Sequence, residues 1–145
     1  MSDLSFEATI TWRGPSGERR GTVETGGQTF RWSVPASMGG LGEGTSPEEL
    51  LLAAVATCYS ATLGGTVRQA RLPAQEIQVR VEGLVASQPG ATRYDRITVN
   101  PRILGGDAAR IEAYRQAATT ARDRCFIGSI VRAQVEYAVG DVEVG

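Results

Sequence analysis

Histidine is absent from this chain of 145 residues, and cysteine appears only twice. Without imidazole there is no Ser-His or Cys-His nucleophile pair, and most zinc sites are excluded with it. Covalent chemistry, if the chain performs any, falls first to a thiol that something other than imidazole must activate. Basic runs are missing as well. The 15 Lys and Arg residues nearly balance the 16 Asp and Glu residues, for a net charge of −1, and they are spread along the chain, so there is no electrostatic footprint for nucleic acid. No uninterrupted apolar run reaches the roughly 18 residues of a transmembrane helix, and no membrane partner is expected. The start, Met1-Ser2-Asp3-Leu4-Ser5, has neither the basic residues nor the apolar stretch of a signal peptide. A cytoplasmic protein is expected, in a compartment that keeps thiols reduced. There, two cysteines are catalytic, redox-active or simply buried, rather than a permanent staple. Two cysteines without histidine also make a poor metal site, so neither a metal nor another cofactor is expected.

What is present is an ordinary globular composition, 41% hydrophobic and 21% charged, of a size that suits one domain over residues 1–145. Phe6, Ala8, Ile10 and Trp12 alternate with polar residues and predict a half-buried strand. Arg13 to Gly17 reads as a loop, and Arg19 to Thr25 as a second strand. Gly26-Gly27 suits a tight hairpin, and Phe30, Trp32 and Val34 mark a third strand. Pro35 to Gly44 is a glycine-rich loop without the Lys-Ser/Thr of a phosphate-binding motif.

Ser46 then opens a helix. Ser46 and Glu49 have capping-box spacing, and Pro47 suits the first helical position. Leu50 to Ala56 is apolar on every side, which predicts a central helix, weakened at Gly64-Gly65. Ile77, Val79 and Val81 predict a strand. A turn at Gln88-Pro89-Gly90 leads to a returning strand through Tyr94, Ile97, Val99 and Ile103. Asp107 is a good N-cap for a second helix with the apolar stripe Ile111, Tyr114, Ala118, Ala121 and Cys125, so Cys125 is expected in its last turn, facing inward. Val131, Ala133, Val135 and Tyr137 predict a final strand. The fold class is α+β, in the order three strands, helix, two strands, helix, strand.

The segment Gly44-Thr45-Ser46-Pro47-Glu48-Glu49-Leu50, followed by Ala53-Ala54 and by Cys58 ten residues after Glu48, resembles the signature of the OsmC/Ohr family, the osmotically inducible and organic hydroperoxide resistance proteins. Length, element order and a late second cysteine agree with it. The resemblance implies the OsmC-like fold in an intertwined homodimer. It also implies a thiol-dependent peroxidase that reduces organic hydroperoxides to alcohols in oxidative stress defence. Carried over by position, Cys58 attacks the peroxide, Cys125 resolves the sulfenic acid to an intrachain disulfide, and Glu48 orients an activating arginine. An external dithiol resets the enzyme.

The chain departs from the family pattern at Phe126, where proline is frequent after the second cysteine, and at Tyr59, where phenylalanine is common. In the loop before the helix, where the osmotically inducible branch carries its arginine, this chain has Met38. The first hairpin, where the hydroperoxide resistance branch carries it, offers Arg19 and Arg20. Arg19 is the first choice, with Arg20 and Arg31 as alternatives.

The chemistry is coherent without histidine. A buried thiol needs a cation to become the reactive thiolate, arginine keeps its charge when desolvated, and a carboxylate can fix the guanidinium in a forked pair. Ten residues on one helix span about 15 Å, so Glu48 would have to serve the Cys58 of a partner subunit. Two other readings stay open at this point: the same fold without peroxidase turnover, as an apolar-ligand binder or redox sensor, and a structural protein whose cysteines are both buried and inert.

Overall fold

A computed structural model describes residues 2–14, 19–88 and 91–145. The chain divides into two compact units, Met1–Leu51 and Leu52–Gly145.

The first unit is an antiparallel meander of β1 (Thr9–Trp12), β2 (Arg20–Thr25) and β3 (Gln28–Ser33). Gly26 and Gly27, at φ of 56° and 73°, make the β2–β3 turn in the left-handed region that a two-residue hairpin demands. The register sets Ile10 beside Val23 and Val23 beside Phe30, which gathers the apolar side chains on one face. Val23 is buried, but Ile10 and Trp12 are 54% and 52% exposed. The expected half-buried first strand is therefore a fully exposed one, because β1 is the edge strand and its own unit does not cover it. Of the loop expected from Arg13 to Gly17, Pro15 to Gly17 lie outside the described residues.

After β3 a single 3-10 turn, Ala36–Met38, interrupts the glycine-rich loop. The chain returns beside β3, where Thr45 bonds back to Arg31 and Ser33. The helix α1 (Pro47–Gln69) starts from a complete capping box. Ser46 donates to Glu49 Oε1 through its backbone N–H (3.0 Å) and its hydroxyl (2.8 Å), and the Glu49 N–H donates back to the Ser46 hydroxyl (3.2 Å). Pro47 takes the first helical position, where its missing N–H costs nothing. The helix runs through Gly64 and Gly65 without a break, which corrects the expected weakening there.

In the second unit, β4 (Glu76–Gln88) and β5 (Ala91–Leu104) form a long antiparallel hairpin with a bulge at Leu84/Val85. Pro89 and Gly90 of the expected turn lie outside the described residues. Asp107 caps a short 3-10 turn through the Ala109 N–H, and α2 (Ile111–Arg124) follows. Next come α3 (Phe126–Arg132), β6 (Glu136–Val139) and β7 (Glu143–Val144), both strands running parallel to β5. The expected final strand from Val131 to Tyr137 is corrected: Val131 lies in the last turn of α3, which ends at Arg132, and the strand begins only at Glu136. The apolar run Phe126-Ile127 followed by Ile130-Val131 has helical spacing, and alternation starts after it.

The core of this unit joins Val55, Tyr59, Leu63 and Val67 of α1 with Ile97, Val99 and Ile103 of β5 and Tyr114, Ala118 and Ala121 of α2. Two side chains tie α1 to α2: the Tyr59 hydroxyl donates to the Ala118 carbonyl and the Thr66 hydroxyl to the Ala117 carbonyl, both at 3.1 Å. The opposite side of α1 is open, with Ala53, Ala54, Thr57 and Ala61 exposed, so the helix expected to be central is covered on one side only. By length and composition α1 as a whole is apolar enough to cross a membrane, although no uninterrupted apolar run has that length. The core helix of a globular protein has the same composition, and the buried stripe of α1 is already packed against protein.

The capping box yields a prediction. Hydrogen bonds from Ser46, the backbone one first, hold the Glu49 carboxyl below the usual carboxylate range. A lowered carboxyl contributes stability that is complete above its unfolded value and fades as pH falls through its folded one. Ser46→Ala should cost about 1 kcal/mol of unfolding free energy at neutral pH. In denaturant melts, part of that difference should vanish on acidification below the ordinary carboxylate range.

Candidate functional site

Cys58 lies midway along α1, between buried Tyr59 and exposed Thr57, and is itself half-buried. Its place follows from the helix period. It is one residue, about 100° of rotation, from Tyr59 in the buried stripe, so it stands where α1 passes from core to open side.

Cys125 is fully buried. The expectation of a place in the last turn of α2 is corrected. That helix stops at Arg124, and Cys125 is extended, at φ −64° and ψ 118°, forming the N-cap of α3. Its sulfur accepts the Gly128 N–H at 3.3 Å, and its carbonyl accepts the Ser129 N–H. A thiol here does the work that a serine or aspartate oxygen does at most helix starts. The spacing Cys125-Phe126-Ile127-Gly128 carries that signal, but sulfur is a rare cap and the inward stripe of α2 hides it.

The fold brings the two thiols into one neighbourhood, 67 residues apart in sequence: Cys58 and the Tyr137 hydroxyl both lie close enough to the Cys125 sulfur to act on its ionisation. Burial pushes the Cys125 thiol up, the Gly128 N–H pulls it down, Cys58 pushes it up further, and the Tyr137 hydroxyl pulls it down. The net direction is upward, so Cys125 rests as a thiol. Burial, and after it the Cys125 sulfur, pushes the Tyr59 and Tyr137 hydroxyls far above the ordinary tyrosine range. Both keep their protons at any physiological pH.

Tyr137 is the site residue that sequence reasoning missed, where it counted only as an apolar position of the last strand. It pairs with Ile97 of β5, and its buried hydroxyl meets no hydrogen-bond partner of full geometry. What faces it is the Cys125 sulfur.

The other expected site residues belong to the first unit. Glu48 sits half-buried in the first turn of α1, where the helix dipole favours a carboxylate and where Glu49, not Glu48, completes the capping box. Arg19 has a left-handed backbone, φ 47°, and donates to the Gly39 carbonyl at 3.3 Å. Arg20 pairs with Glu43 at 3.0 Å, both side chains about half exposed. Arg31 is exposed on β3. Arg124 donates to Gln69 Oε1 at 3.4 Å. Among the described residues, no cluster of three Cys, Asp or Glu side chains could hold a metal ion.

The profile of the OsmC-like protein family matches residues 40–139, which include both cysteines, Glu48 and Tyr137. The chain belongs to this family. A curated relative, the uncharacterized protein YmaD of Bacillus subtilis (strain 168), is 32% identical over 139 residues, covering 94% of this chain and 92% of its own. The fold is OsmC-like throughout. An OsmC-like protein of unknown function from Vibrio cholerae superposes with a TM-score of 0.79 at 17% identity, over 96% of this chain and 99% of that one. An organic hydroperoxide resistance protein from Elizabethkingia anophelis, with thiocyanate bound, superposes with a TM-score of 0.77 at 20% identity, over 99% of both chains.

The OsmC-like site presents its thiols unequally. In the native protein an exposed-thiol reagent should modify Cys58 within minutes and leave Cys125 untouched until denaturant is added. Mass mapping of the labelled peptides checks the order. Equal labelling of both would contradict the burial of Cys125.

Proposed function

We propose that this OsmC-like protein is a thiol peroxidase that reduces organic hydroperoxides to alcohols in oxidative stress defence. The observation that carries the reading is the meeting of Cys58 and Cys125 in one place, the first half-buried and the second sealed. The structural likeness to a protein described as conferring organic hydroperoxide resistance supports it. The partly open thiol meets the peroxide first. The Cys58 thiolate attacks the proximal oxygen, the O–O bond breaks, and the alkoxide takes a proton and leaves as an alcohol, so Cys58 becomes a sulfenic acid. The Cys125 sulfur, deprotonated, then attacks the Cys58 sulfur, hydroxide leaves as water, and a disulfide closes. An external dithiol restores both thiols by exchange.

The working form in this reading is a homodimer. In the second unit Phe126 is 70% and Ile130 59% exposed, and the open side of α1 carries Ala53, Ala54, Thr57 and Ala61. Apolar surface of this extent is characteristic of a face that another chain covers. In such a dimer Glu48 of one subunit serves Cys58 of the other, since about 15 Å of one helix separates them within a chain. Glu48 would fix the guanidinium of Arg19, or of Arg20 or Arg31, against the attacking thiolate. In this reading the pocket that forms around Cys58 is apolar, and hydrophobic peroxides react faster than hydrogen peroxide.

The test is a count of free thiols per chain after one equivalent of cumene hydroperoxide, beside the same with hydrogen peroxide. Both thiols should disappear within seconds, faster with the organic peroxide. Cys58→Ser should reduce peroxide consumption to background, at least 100-fold on the scale of a lost nucleophile. Cys125→Ser should lose its remaining thiol once and then over-oxidise. Two thiols intact after minutes would refute the peroxidase and leave a binding protein of the same fold.

A further inference from the structure

We infer that the Tyr137 hydroxyl and the Gly128 N–H form a cradle that receives the Cys125 thiolate when the Cys58–Cys125 disulfide is opened. The incoming dithiol accordingly attacks Cys58, and Cys125 is always the leaving sulfur. This rests on the pairing of the two thiols proposed above and adds a residue and a direction to it.

The geometry has three parts. The Gly128 N–H points at the Cys125 sulfur from the first turn of α3 at 3.3 Å. Tyr137 reaches the same sulfur from β6. A methyl group on Gly128 would lie 2.6 Å from Tyr137 Cε1 and 3.1 Å from Cys125 Sγ, so ring and sulfur pack against one bare backbone carbon. The Tyr137 hydroxyl is buried and has no other hydrogen-bond partner of full geometry. A buried hydroxyl without a partner is an anomaly in a stable core. It is resolved if the hydroxyl is held ready for a charge that exists only during turnover. Its raised pKa keeps the proton on oxygen, so the hydroxyl can donate to a thiolate at that sulfur.

Access decides the direction. Cys125 is 0% exposed, whereas Cys58 is half-buried. One thiolate of the dithiol attacks Cys58 Sγ and forms a mixed disulfide there. The Cys58–Cys125 bond breaks, and its electron pair goes to Cys125 Sγ, where two donors are in place. The second thiolate of the dithiol then attacks the reductant's own sulfur of the mixed disulfide. Cys58 leaves as a thiolate, both protein sulfurs regain protons from solvent, and the dithiol ends as a cyclic disulfide. A leaving thiolate departs faster the better its charge is stabilised, and Cys125 Sγ has two donors set against it, the Gly128 N–H and the Tyr137 hydroxyl.

The experiment starts from the full chain oxidised with diamide, which closes the disulfide without peroxide. Reduction by dithiothreitol is followed by acid quenching and thiol counting, in the wild type and in Tyr137→Phe, which removes only an oxygen. The variant should melt as the wild type does when reduced, yet release its disulfide about tenfold more slowly. With a monothiol in place of dithiothreitol, the trapped mixed disulfide should map to Cys58 in the wild type. That measurement stands whether or not the variant folds. The inference is overturned if diamide closes no disulfide, if the monothiol is trapped on Cys125, or if Tyr137→Phe is reduced within twofold of the wild-type rate. If these results are as expected but hydroperoxide leaves both thiols intact, the peroxidase reading fails and the cradle stands.

Discussion

The buried stripe Val55, Tyr59, Leu63 and Val67 sets the rotation of α1, and most of the site follows from that rotation. Each of these residues is at most 3% exposed, and Tyr59 is locked further by its hydrogen bond to the Ala118 carbonyl. Burial of four such side chains is worth several kcal/mol in transfer free energy, far more than any single polar contact nearby. With that face committed, the helix period allows Cys58 only the border between core and open side. A thiol one position later would be sealed, and one position earlier it would stand in solvent with Thr57.

The partner sulfur is placed by a different device. Cys125 ends one helix and starts the next, and its sulfur caps the second. Such a junction turns the chain sharply without leaving the first orphan N–H groups of α3 wholly unsatisfied. It also puts the sulfur in a fixed direction, toward the α1 border, rather than on a helix face where rotamers could turn it aside. Burial and hydrogen bonding then act in opposition on the same atom. Burial keeps Cys125 protonated at rest, while the Gly128 N–H and Tyr137 hydroxyl favour its charged form. In the turnover proposed here Cys125 is quiet in the reduced protein and charged for a moment, and that balance suits both states.

Much of this architecture is legible along the chain because the signals are local. The Ser46–Glu49 box, the Gly26-Gly27 turn and the alternation of Ile77, Val79 and Val81 each depend on neighbours within a few residues, and each reappears as an element, whereas Asp107 caps the 3-10 turn ahead of α2 and not α2 itself, whose N-cap is Arg110. The failures are local as well, and physical. Gly64-Gly65 did not stop α1 because Leu63, Thr66 and Val67 on either side are anchored in the core, and tertiary packing outweighs the propensity of two glycines. The short helix α3 escaped notice because its cap is a sulfur and its seven residues fall inside a run that continues into a strand. The exposed β1 shows the limit of alternation as a signal: it marks a face that is apolar, not whether the same chain covers it.

By itself the sequence determined the family. A Pro-Glu…Ala-Ala…Cys spacing on a capped helix is written in consecutive residues. Only the tertiary structure decided that two thiols 67 residues apart meet, that one is sealed and the other half-open, and that Tyr137 faces the sealed one. Those outcomes depend on which helix face is buried and on how α3 and β6 return to it. Both are set by the summed packing of side chains distant in sequence, which no local spacing records.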